Sequence, residues 1–124
     1  MNEQVKEKWL SALRSGDYKQ TQHRLRKEDG FCCLGVLCDL YIKENNKEWK
    51  IDGDGDYFYD GDYFYEQYKF PPLSVYKFPP LSVVEWSGLV SENPSVCNGK
   101  TSLGYLNDHG STFNEIADLI EEHL

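Results

Sequence analysis

No stretch of this sequence approaches the roughly 18 consecutive apolar residues that a membrane-spanning helix requires. The opening residues, MNEQVKEKW, are charged and hold no apolar core of a secretory signal, so the protein is expected to stay in the cytoplasm. Basic charge is short as well: Lys and Arg number 13 against 21 Asp and Glu, a formal net charge of −8. That balance speaks against direct nucleic-acid binding, which takes a basic surface. Acidity of this size is ordinary solubility in its plain reading, and in a sharper one a surface that competes for a nucleic-acid-binding protein. The familiar catalytic signatures are missing too: there is no G-x-S-x-G, no phosphate loop, no H-E-x-x-H and no dinucleotide fingerprint. There is no C-x-x-C either. Cys32, Cys33, Cys38 and Cys97 are expected as reduced, buried thiols acting as small hydrophobes, with Cys32 and Cys33 on a strand and pointing to opposite faces. Neither a metal site nor a cofactor is expected.

What the sequence does hold is enough for one modest core. Its 124 residues, 40% hydrophobic and 15% aromatic, suit a single globular domain over 1–124. The organising stretch is GFCCLGVLCDLYIKEN, Gly30 to Asn45. Leu34, Leu37, Cys38, Tyr41 and Ile42 recur at i, i+3, i+4, i+7 and i+8, the buried face of a helix, with Phe31 to Cys33 as a short strand leading in. Upstream, Asn2 caps a helix from about Glu3 to Ser15 that Gly16 ends. Tyr18 to Leu25 reads as a strand to which Phe31–Cys33 pairs back as a hairpin through the Asp29-Gly30 turn. Trp49 and Ile51 mark another strand, and Asp52-Gly-Asp-Gly-Asp56 a turn. Pro79-Pro80 opens a short helix closed by Gly88, and Asn98-Gly99 is a hairpin turn. Leu103 to Leu106 is expected as an apolar turn and Asn107 to Gly110 as a loop, before a C-terminal helix opened by the capping box Thr112–Glu115. The predicted class is α+β, a small antiparallel sheet of hairpins packed on three to four helices.

Two tandem repeats interrupt this pattern. GDYFYD is followed at once by GDYFYE, and YKFPPLSV (Tyr68 to Val75) by a perfect copy (Tyr76 to Val83). They are too short for a repeat architecture, whose periods run about 20 to 50 residues. They make an aromatic, proline-rich insert at about 52–80, either a recent duplication that lengthens a loop at small entropic cost or one stretch written twice.

Candidate chemistry is thin. Asp52, Asp54 and Asp56 match the first calcium-loop positions, yet Tyr57 stands where glycine is needed and Tyr63 where a bidentate glutamate belongs. Asp108, His109 and Ser111 are neighbours, whereas catalytic triads are assembled by the fold rather than by adjacency. His23 and His123 read as surface residues. The aromatic and acidic cluster from Asp56 to Tyr68 reads first as rings closing the core and second as an interface. The polar face Lys19, Gln20, Gln22 and Arg24 offers amides and cations to a phosphate.

KEKWLSALRSGDYKQ, GFCCLGVLCDLY, FPPLSVVEWSGLVSENPSV and LNDHGSTFNEIADLIEEHL together resemble a group of small proteins encoded by tailed bacteriophages and prophages. The resemblance covers nearly the whole chain except the doubled insert. It implies a phage-encoded accessory protein in the cytoplasm of the infected host, non-enzymatic and acting in counter-defence by sequestering a small anionic nucleotide signal. Under it, the expected ligand-binding residues are Lys19, Gln20, Arg24, Trp86, Asn107 and Asp108, with Lys100 and Tyr105 as further candidates. The alternatives are a protein-binding inhibitor of a host enzyme, using the acidic aromatic surface, and a small hydrolase. A small nucleotide or a host protein is the expected partner, with no membrane and with an oligomer open.

Overall fold

A computed structural model describes residues 1–61 and 72–124. Its centre is helix α2 (Cys33–Glu44), whose residues Cys33 through Asp39 and Ile42 are all buried. The sequence period marked one face of this helix. The structure buries it nearly all round, because other elements close on every side. Helix α1 (Glu3–Arg14) lies against it, and the C-terminal helix α6 (Phe113–His123) packs on α1. Fully burying Leu34, Val36 and Leu37 contributes ~1.5–3 kcal/mol each. Trp9 of α1 is completely buried and donates its indole N–H to the Cys33 carbonyl at 2.9 Å, locking the two helices in register.

The helix ends follow their local signals. Asn2 Oδ1 accepts from the Val5 amide at 3.1 Å, and Thr112 with Glu115 forms the reciprocal capping box of α6. Helix α4 (Leu81–Ser87) ends at Gly88 in the left-handed conformation, φ 71°. An added Cβ there would meet the Asn2 backbone nitrogen at 2.8 Å, so the close approach of the N-terminal segment also requires glycine.

The first sheet corrects the expected hairpin. Strands β1 (Lys19–Gln20), β2 (Arg26–Lys27) and β3 (Gly30–Phe31) lie in the order β1-β3-β2. β1 pairs with β3 in parallel, and only β2 pairs with it antiparallel, across a turn with Glu28 at φ 55°. The reason is Leu25. It is completely buried, so the chain after Gln20 must loop inward to place it before returning as β2. Cys32 and Cys33 are not strand residues on opposite faces: Cys32 is the N-cap of α2, its sulfur accepting from the Gly35 amide at 3.3 Å, and both are buried. The thiols are unpaired, and Cys97 alone is half-exposed.

Two further hairpins, β4 (Lys50–Ile51) with β5 (Tyr57–Phe58) and β6 (Ser95–Val96) with β7 (Thr101–Ser102), complete the α+β architecture. Two short helices were not marked by sequence, α3 (Ser74–Lys77) and α5 (Leu103–Asp108). α5 replaces the expected turn and loop because Ser102 caps it, its hydroxyl accepting from the Tyr105 amide.

The repeated octapeptide shows how context sets length. In both copies Leu-Ser-Val after Pro-Pro enters a helix. In the first copy the next proline pair, Pro79-Pro80, follows Tyr-Lys-Phe, so α3 stops after four residues. In the second copy Val84, Glu85 and Trp86 follow, and α4 runs on for seven. Of the first GDYFYD copy, Phe58 and Tyr59 are buried and Asp60 meets Lys50 Nζ at 2.6 Å, so these rings close the core. Asp62 to Tyr65 of the second GDYFY copy and Tyr68 to Pro71 lie outside the described residues.

Candidate functional site

A cleft of about 260 Å³ opens where the β1–β2 loop, the first turn of α2, the α3–α4 connection and α5 meet. Four cationic or potentially cationic side chains line it: His23 and Arg24 from the loop, Lys77 from α3, and His109 from the end of α5. Phe78 and Tyr105 add rings, Asp108 adds a carboxylate, and Cys32 with Leu34 brings the N-terminal turn of the twelve-residue helix α2 to the wall. The dipole of that helix places partial positive charge where an anion would sit.

Arg24 is held from below. The Arg24 guanidinium lies 5.0 Å from the centroid of the Tyr76 ring. Tyr76 carries its own brace: its hydroxyl donates to Asp52 Oδ2 at 2.7 Å, its carbonyl accepts from the Leu25 amide at 2.8 Å, and burial with the Asp52 bond pushes its hydroxyl up to about 12. Asp52 Oδ1 accepts the amides of Asp54 and Asp56, both at 2.9 Å. The Asp-Gly turn therefore uses its first carboxylate as a buttress for Tyr76. Among the described residues there is no His, Cys, Asp and Glu grouping able to hold a metal ion.

On the opposite flank, Asn107 is completely buried and fully engaged. Its Oδ1 accepts from Gln20 Nε2 at 2.9 Å and from the Cys33 amide at 3.1 Å, and its Nδ2 donates to the Thr21 carbonyl at 2.8 Å. Asp108 Oδ1 accepts the His23 amide at 2.8 Å, and Asp108 Oδ2 stands 3.4 Å from His23 Nδ1. The His109 ring stacks on Tyr105 at 3.9 Å with 14° between planes.

Of the residues expected from sequence, Arg24 and Asp108 line the cleft, as does Tyr105. Gln20 and Asn107 form the hydrogen-bonded floor behind it. Lys19 lies outside, 3.5 Å from Asp29 in an exposed ion pair. Trp86 also lies outside, edge-on to Tyr41 at 5.3 Å, and Lys100 sits exposed in the β6–β7 loop. Sequence reasoning missed Lys77 and Phe78, which sit in the second copy of the repeat, and set aside His23 as a surface residue and His109 as a member of a poor triad. No local pattern joins these four, since three separate segments carry them.

A larger and shallower hollow of about 680 Å³ lies beside the C-terminal end of α1, lined in part by Asp39 and Lys43. Lys43 Nζ is already 2.9 Å from Asp39 Oδ2, the Arg26 guanidinium lies over the Tyr57 ring at 3.9 Å, Asp17 adds a second carboxylate, and the negative end of the α1 dipole lies beside it. It suits an anion poorly. No helix among the described residues is long and apolar enough to cross a membrane.

Residues 1–124 match the model of a domain family of unknown function, DUF8296, and the chain belongs to that family. No curated protein and no solved structure matches it.

Proposed function

We propose that this DUF8296 protein binds a small anionic nucleotide in the cleft between the β1–β2 loop and α5. One observation carries the reading: Arg24, Lys77 and the N-terminal turn of α2 converge on a concave site that also holds the rings of Phe78 and Tyr105. Cations and a helix N-terminus suit a phosphate, and aromatic rings suit a base. A volume of about 260 Å³ is at the low end for ligand pockets, which run ~300–1,000 Å³, and favours a mononucleotide over a cyclic di- or trinucleotide. The resemblance to small phage and prophage proteins makes a nucleotide signal of an infected host cell's cytoplasm the natural candidate, withdrawn from the host's defence by this protein. The competing reading, an inhibitor docking through exposed aromatics, draws no support from the described GDYFYD copy, whose Phe58 and Tyr59 face inward.

A thermal-shift screen against mononucleotides, cyclic nucleotides and ADP-ribose derivatives tests this. A bound nucleotide at a hundredfold excess over its dissociation constant raises apparent stability by ~2.7 kcal/mol. Arg24→Ala and Lys77→Ala are expected to reduce the shift, and Lys100→Ala, outside the cleft, to leave it. A flat response across the panel would sink the reading.

A further inference from the structure

Beyond its cations, the cleft holds two imidazoles, one with its tautomer set by a hydrogen bond and one with a carboxylate beside it. His109 Nδ1 lies 2.8 Å from the Tyr105 carbonyl oxygen. A carbonyl only accepts, so Nδ1 carries the proton and Nε2 is the nitrogen left for a ligand. Stacking on Tyr105 then fixes the plane of the ring. His23 Nδ1 stands 3.4 Å from Asp108 Oδ2, an ion-pair distance with the carboxylate beside the ring. The same carboxylate also holds the His23 backbone amide, and His23 sits at φ 68°, a left-handed conformation that few non-glycine residues adopt. Two histidines, one with Nε2 left over and the other beside a carboxylate, together with two cations in the same cleft, make an acid–base arrangement.

We infer that this cleft hydrolyses a phosphoester bond of a cyclic mononucleotide, with His23 as general base and His109 as general acid; the inference rests on the nucleotide-binding reading. Water is the nucleophile. Its oxygen forms a bond to phosphorus while its proton passes to neutral His23 Nε2. The bond from phosphorus to one ribose oxygen breaks, and protonated His109 Nε2 gives its proton to that oxygen. The products are one nucleoside monophosphate and a free ribose hydroxyl, with no co-reactant besides water. Asp108 is a positioning residue that stabilises the imidazolium forming on His23, which is why His23 takes the base role. Arg24 and Lys77 hold the non-bridging phosphate oxygens, whose charge grows in the transition state. The need for an acid points to an ester: a ribose alkoxide leaves poorly without a proton, whereas a phosphate leaves an anhydride more easily. The cleft's size points to a single nucleoside. The other ionisable groups lining the cleft are Arg24, Lys77, Asp108, Tyr105 and Cys32.

The test follows 2′,3′-cyclic AMP and 3′,5′-cyclic AMP by phosphorus NMR, with AMP as a non-reacting binding probe in thermal shift. One cyclic probe is expected to open to a single monophosphate isomer. His23→Asn and His109→Gln are each expected to slow it ~100-fold or more while keeping the AMP shift. Asparagine tolerates the left-handed backbone at position 23, so the first variant keeps its fold. An AMP shift with neither cyclic probe opened overturns the inference and leaves the binding reading standing. No shift from AMP or from the rest of the nucleotide panel, together with no turnover, overturns both. Turnover undiminished in the two histidine variants overturns the assignment.

Discussion

Gly35 on α2 stands so close to Leu25 that an added Cβ would lie 1.8 Å from the Leu25 carbonyl oxygen. That contact holds the β1–β2 loop on the first turn of α2, and Arg24 and His23 sit in the same loop. Leu25 is completely buried and its amide is bonded to Tyr76, so it has nowhere to move. Gly35→Ala is expected to destabilise by ~3 kcal/mol or more, beyond the usual range for overpacking, because backbone rather than a flexible side chain is struck. Gly53→Ala, where a Cβ meets nothing, is the control and should be neutral. Urea unfolding monitored by tryptophan fluorescence reads both.

Asn107 is the second anchor. Its amide satisfies Gln20, the Cys33 N–H and the Thr21 carbonyl at once. Asn107→Ala strands several partly buried groups, each at a cost of ~1–3 kcal/mol. A total loss of ~3 kcal/mol is expected, with the ligand shift lost as well, since the floor of the cleft is gone. Equilibrium unfolding together with the nucleotide screen checks the two effects; a variant as stable as the parent would show that the network contributes nothing.

Tyr18 donates to Asp39 Oδ2 at 2.5 Å, beside Trp49 Nε1 at 3.0 Å on the other oxygen. Burial pushes the Asp39 carboxyl up, but the bonds from Tyr18, Trp49 and Lys43 outweigh it and hold the group below its ordinary value. A depressed folded value contributes stability above the unfolded pKa of ~3.9 and loses it as pH falls through the folded one. Burial, then the Asp39 bond, pushes the Tyr18 hydroxyl up to about 12. Its contribution is therefore complete below the ordinary tyrosine value of ~10 and is lost as pH rises through about 12. Tyr18→Phe is expected to cost ~1.5–3 kcal/mol at neutral pH, a deficit that shrinks once Asp39 is protonated in acid. Stability curves of the two proteins at several pH values, converging at the acid end, measure it.

The thiols should divide cleanly. Burial pushes Cys32 up to about 12 and raises Cys33 and Cys38 well above the ordinary thiol value, whereas Cys97 is half-exposed. A thiol reagent on the folded protein is expected to modify Cys97 alone, and all four cysteines after denaturation. Intact-mass spectrometry counts the adducts; rapid labelling of Cys32 in the native protein would show that its helix cap opens.

What the sequence determined by itself is local. Asn2, Thr112 with Glu115, Pro80 and Gly88 each name a helix end because capping is an interaction of residues three or four apart. The Asn98-Gly99 hairpin and the apolar stretch of α2 were legible for the same reason. What only the tertiary structure decided is set by distant partners. The parallel pairing of β1 with β3 follows from burying Leu25, and the burial of α2 on all sides follows from what packs around it. The cleft unites His23, Lys77 and His109, three segments with no shared period. The Asp52 turn, legible as a turn, became a brace for Arg24 only because Tyr76, 24 residues on, reaches back to it. Sequence patterns record the spacing of neighbours along the chain, and a site made by chain crossings leaves no such spacing to read.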